Sequence, residues 1–143
     1  MDTIAGLPAH PLLVHFPIVA IPLAAVLLVI FVLVPSWRSM LNYLILAMGG
    51  AIAIGSLLAA SSGESLEERV DETAAVKAHA DLGGQMEAIG VLFGVALVAL
   101  ALYGLLSRRG TLHLNDRLAR IAMVGLMVVT VVVGSVAVVW IVR

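Results

Sequence analysis

His10, His15 and His79 are three of the four histidines in this 143-residue chain. Each stands at the edge of a long apolar run, and Glu64, Glu67, Glu68, Asp71, Asp81 and Glu87 lie near the same edges. Imidazole nitrogen combined with carboxylate oxygen suits zinc, copper, iron, nickel or manganese. Two imidazoles from facing helices would equally serve as axial ligands of a haem iron. The spacing does not choose between them. His10 and His15 are five residues apart, about 140° around an ideal helix of 3.6 residues per turn, and Pro11 and Pro17 disturb that figure.

His15 and His79 are the leading ligand candidates, with His10, Glu64, Glu68 and Glu87 as accessory ligands or supporting groups. A blander reading competes with each: a histidine at a helix start also caps it, and an acidic run also forms a solvated face. Glu87 lies just inside an apolar run, where a carboxylate needs a partner, so it is expected to pair with a histidine. His113 sits in a basic loop and carries no assigned role.

Nucleophilic chemistry has little support. The chain has no cysteine, which excludes disulfides, thiolate metal sites, iron–sulfur clusters and covalently attached haem within it. There is no GxSxG, no P-loop and no HExxH. Ser61, Ser62 and Ser65 share only a general position with the histidines. Bond-making catalysis is therefore not the expectation.

The elements that must position these residues are read from hydropathy. The chain is 62% hydrophobic and 12% charged, with a mean hydropathy of +1.15; soluble domains are nearer half apolar and a quarter charged. Four spans are predicted, near residues 12–35, 41–61, 84–106 and 119–142. Each has the roughly 20 residues needed to cross a hydrocarbon core of about 30 Å. The expected fold is all-α: a single-domain, integral membrane four-helix bundle. The first span does not read as a cleaved signal peptide, because no positive charge precedes it and its apolar stretch is too long. The net charge is −1, with no basic stripe for nucleic acid. The lipid bilayer is the first partner implied.

Loop charge gives an orientation. Arg38 follows the first span, and Arg108, Arg109, Arg117 and Arg120 lie between the third and fourth. The connection between the second and third is acidic, with only Arg69 and Lys77 as positives. The positive-inside rule then places both termini and the 62–83 connection outside an inner (cell) membrane. Trp37, Tyr43 and Tyr103 mark the inner boundary and Trp140 the outer. Within the acidic connection, Ser61-x-x-Glu64 and Ser65-x-x-Glu68 read as capping boxes. They predict a short outer interfacial helix between spans two and three, with an apolar stripe of Leu66, Val70 and Ala74 and a break at Gly83-Gly84, a helix continuous into the third span being the alternative.

Small residues recur every four positions on the second span: Ala47, Ala51, Gly55, Ala59 and Gly63. Gly90 and Gly94 form a GxxxG on the third. In lipid, close backbone approach along such stripes joins helices, so these two spans are expected to pack together; a homo-oligomer interface is the other use of such a stripe. Pro17 and Pro22 interrupt the first span, freeing the carbonyls of Leu13 and Ile18 and predicting distortion beside His15.

The block His10-Pro11-x-x-Val14-His15-Phe16-Pro17-Ile18 resembles the signature of a bacterial family of small, four-span membrane proteins of unknown function. Gly63-Glu64-x-x-Glu67-Glu68-x-Val70, followed by His79 and Gly83, is similar to the second block of one branch of it. One departure stands out: an acidic residue is expected directly after the matching histidine, whereas Ala80 follows His79 and Asp81 comes next. The resemblance covers most of the chain and implies a four-helix membrane bundle. Some relatives occur beside Rieske or cytochrome modules, which implies haem or metal.

The leading expectation is thus an outer-face His/carboxylate site for haem b or a transition-metal ion, accessory to electron transfer or metal handling, with a redox or membrane-protein partner. The rival is a cofactor-free structural subunit or homo-oligomer whose histidines cap helices and pair with carboxylates.

Overall fold

The computed structural model describes residues 3–4, 7–67, 70–71, 73–110 and 115–141. Two short strands, β1 (Thr3–Ile4) and β2 (Leu7–Pro8), pair antiparallel ahead of the first helix. Four helices follow: α1 (Ala9–Leu33), α2 (Arg38–Glu67), α3 (Ala74–Arg108) and α4 (Asp116–Ile141). All four are long and apolar enough to cross a membrane, and the fold is an all-α membrane bundle. In lipid every backbone N–H and C=O needs a partner within the chain, which a helix supplies internally.

The faces turned inward follow helical spacing. On α1 they are Pro17, Ile21, Ala24, Leu28 and Phe31; on α4, Met127, Thr130, Gly134 and Ala137. Valines and leucines such as Val26, Ile54, Leu92, Val128 and Val132 point outward, where acyl chains are as apolar as the core.

The ends have local causes. Although α1 passes through Pro17 and Pro22 unbroken, it stops before Pro35, which opens a single 3-10 turn, Pro35–Trp37. Arg38 then reaches back: Nε donates to the Phe31 carbonyl and Nη2 to that of Val32, both at 2.9 Å. This satisfies carbonyls of the last turn of α1 that have no N–H ahead of them. The same guanidinium lies 5.5 Å from the Phe31 ring centroid. At the far end of α3, Gly110 adopts φ 67°, the left-handed conformation that ends helices and that glycine takes without steric cost. The Asn115 side chain accepts from the Leu118 N–H at 2.8 Å and caps α4.

The connection between α2 and α3 differs from expectation. The short outer helix is not a separate element: α2 runs on to Glu67, and α3 begins at Ala74 and continues through Gly83 and Gly84. Extending an existing helix adds a hydrogen bond per residue, whereas a new one must first form a costly nucleus. The hydroxyls of Ser61 and Ser65, expected to cap, instead donate back to the carbonyls of Leu58 and Ser61 inside α2. The N-cap of α3 is Thr73, whose hydroxyl accepts from the Val76 N–H at 3.2 Å. Leu66, Val70 and Ala74 consequently do not share one helix. Glu68, Glu72 and His113 lie outside the described residues. With 30 and 35 residues, α2 and α3 measure about 45 and 52 Å at 1.5 Å per residue, well beyond a hydrocarbon core of about 30 Å.

The second and third spans do pack closely, but not along the expected stripe of α2. Gly94 meets Gly49 and Ala53, Gly90 meets Ser56, and Gly104 meets Asn42. The stripe's Gly55 and Gly63 face α1 instead, under Phe16 and His10. On a helix, residues spaced by four drift around the surface, so a long i, i+4 row cannot stay against one straight neighbour.

Candidate histidine site

The N-terminal end of α1 meets the C-terminal end of α2 and the N-terminal end of α3, and His10 stands at the junction. Its ring rests over Gly63, where an added Cβ would lie 3.0 Å from Cε1 and 3.3 Å from Nδ1. His10 Nδ1 is 3.1 Å from the Ser62 hydroxyl. Ser62 is buried and donates its own proton to the Ala59 carbonyl at 2.7 Å. Across the junction, the His10 and His79 rings meet edge-on, with centroids 6.3 Å apart and planes at 84°.

His15 lies apart. It is exposed, and its Nδ1 bonds the Pro11 carbonyl one turn back. A carbonyl can only accept, so His15 Nδ1 carries a proton, and in the neutral ring the lone pair is then on Nε2. The imidazole brought to His79 is therefore that of His10, while no ring contact among the described residues joins His15 to His79.

The carboxylates stand further off. Glu64 is exposed on the last turns of α2. Glu87 is half-buried, and among the described residues nothing pairs it with a histidine. It follows His79 by eight residues on one helix, about 12 Å along the axis, too far for direct contact. Among the described residues no three His, Asp or Glu side chains converge as an ion's ligand set. The assembled donors are two imidazoles, with a serine hydroxyl behind one of them.

A separate groove of about 290 Å³ lies between α1 and α4, lined by residues such as Ala25, Leu28, Gly134 and Val138. No histidine borders it.

Sequence reasoning missed the roles of Ser62 and Gly63. Their signal was the phase of His10 relative to α2, which a linear pattern does not carry.

Four membrane-crossing helices, joined at one end by a two-histidine junction, define the class: a small helical membrane protein. The chain belongs to the family described as predicted membrane protein, DUF2231, whose model matches residues 6–142. No curated protein and no solved structure matches it.

Proposed function

We propose that the histidine end of the bundle binds one transition-metal ion through His10 and His79, and that the protein serves metal handling or electron transfer. The observation that carries this reading is the edge contact of the two rings, 6.3 Å between centroids. At that separation a nitrogen of each ring can approach the same ion at about 2.0–2.1 Å after a small rotation of the side chains. His10 also has the support usual for a ligating imidazole, a hydrogen bond on its other ring nitrogen. Glu64, next to Gly63, would supply an accessory carboxylate, whereas Glu87 stands too far along α3 to reach the ion directly. His15, with Nε2 free on an exposed face, would meet a membrane partner or a second copy. In this reading the HP-x-x-VHFP block, residues 10–17, is the family's working segment.

A metal ion suits the junction better than haem b, because His10 lies flush against α2 at Gly63 and an ionised carboxylate such as Glu64 beside a porphyrin would need a partner of its own. We place the protein in an inner membrane with both termini and the 62–83 connection outside, on the loop charges. The cofactor-free alternative, a structural subunit, has its own support: His10 already ties α1 to α2 through Ser62.

Purification in mild detergent, with elemental analysis and an absorption spectrum of the same sample, tests the proposal. Stoichiometric metal that is lost in His10→Ala and in His79→Ala, and kept in His15→Ala, is the expected result. A stably folded protein without metal, and unable to take up added zinc, overturns it and favours the structural subunit.

A further inference from the structure

The Ser62 hydroxyl has one proton to give and two polar neighbours. It lies 2.7 Å from the Ala59 carbonyl, the ordinary length of an O–H···O bond, and 3.1 Å from His10 Nδ1. A carbonyl cannot donate, so that short contact is bonded only if Ser62 gives its proton there. Were the proton turned toward His10, two oxygen lone pairs would face each other at 2.7 Å at a residue that is only 4% exposed. Unpaired polar contacts of that kind are costly away from water. With its proton spent on Ala59, Ser62 can only accept from His10, and Nδ1 must be the protonated ring nitrogen.

We infer that Ser62 is a positioning residue, which holds His10 in the Nδ1–H tautomer and so leaves Nε2 as the nitrogen with the lone pair in the neutral ring. The seat on Gly63 agrees. An added Cβ there would lie 3.0 Å from Cε1 and 3.3 Å from Nδ1, but 4.0 Å from Nε2. The ring therefore meets Gly63 through its Nδ1–Cε1–Nε2 edge, with Nδ1 the nearer of the two nitrogens. His15 is held in the same tautomer by the Pro11 carbonyl. Both α1 histidines thus present the same nitrogen, one through a serine of another helix and one through its own backbone.

This deepens the metal reading and rests on it for its use, since a ligating nitrogen must offer a lone pair. The tautomer itself is readable without metal. The experiment is a nitrogen-15 spectrum of histidine-labelled full-length protein in detergent, with the His10 signals identified by their absence in His10→Ala. In the wild type, the neutral His10 ring should carry its proton on Nδ1. Ser62→Ala should lose that preference, and Ser62→Thr, which keeps the hydroxyl, should restore it.

An unchanged tautomer in Ser62→Ala overturns the inference. So does a wild-type His10 protonated on Nε2, whether or not the variants fold. A zinc titration of the same samples separates the two claims. If the wild type takes up zinc and Ser62→Ala binds it about 10–100-fold more weakly, with threonine restoring affinity, Ser62 positions a metal ligand. If the tautomer responds as expected and no protein binds zinc, the role of Ser62 stands and the metal reading falls.

Discussion

The His10 ring lies over Gly63, and about two turns deeper the Phe16 ring lies over Gly55 in the same manner. A Cβ at Gly55 would come within 2.5 Å of the Phe16 ring. These two residues of α1 are thus seated on two glycines of α2 that are eight apart. Exchanging a glycine for a larger residue should lift α1 rather than unfold the bundle. Gly63→Leu is expected to raise hydrogen exchange over residues 9–16 and to abolish the His10–His79 contact. Gly50→Ala, with nothing within 4 Å of its added carbon, should leave exchange unchanged. Equal effects from both would mean that α1 is not held by this seat.

The seam between α2 and α3 is less forgiving. An added Cβ at Gly94 would stand 2.6 Å from the Gly49 carbonyl oxygen and 2.8 Å from the Ala53 nitrogen. Both are backbone atoms of a packed helix and cannot swing aside. Gly94→Ala should therefore cost about 1–3 kcal/mol through overpacking, read as a lowered unfolding midpoint in detergent. Gly125→Ala, whose added carbon meets nothing within 4 Å, should be neutral or slightly stabilising, since alanine is the better helix former.

Asn42 is 1% exposed, and neither its amide nitrogen nor its oxygen finds a hydrogen-bond partner among the described residues. A buried polar group in that state costs about 1–3 kcal/mol. Removing it should largely offset the space left behind. Asn42→Ala is expected to change stability by less than about 1 kcal/mol, against about 2–5 kcal/mol for Ile45→Ala one turn on. If the asparagine variant is the worse of the two, the reading of Asn42 as an unpartnered buried amide fails.

The orientation admits a clean test, because the chain has no cysteine. Glu67→Cys should react with a membrane-impermeant thiol reagent applied to intact cells, and Ser36→Cys, exposed at the other end of the bundle, should react only after the membrane is opened. The opposite pattern would place the histidine end and both termini inside.

The amino-acid sequence determined the solvent, the number of crossings and their approximate limits. Helices α1 to α4 contain nearly all of the apolar runs at 12–35, 41–61, 84–106 and 119–142. The physical reason is that in lipid each helix satisfies its own backbone, so length and hydropathy alone suffice, with no knowledge of neighbours. Caps were less legible: Ser61 and Ser65 carried the right spacing, yet Thr73 caps α3, because a helix already growing is extended at less cost than a new one is started. Rotation and partner choice were not legible at all. Gly90 and Gly94 met α2 as their spacing implied, but the residues they met were Ser56, Gly49 and Ala53. The row ending in Gly55 and Gly63 turned to α1. That rotation decided the site, since it set His10 over Gly63 and beside His79 while leaving His15 on an exposed face. Which imidazoles meet is fixed by how closely backbones approach and how each helix turns about its axis, and only the packed bundle determines those.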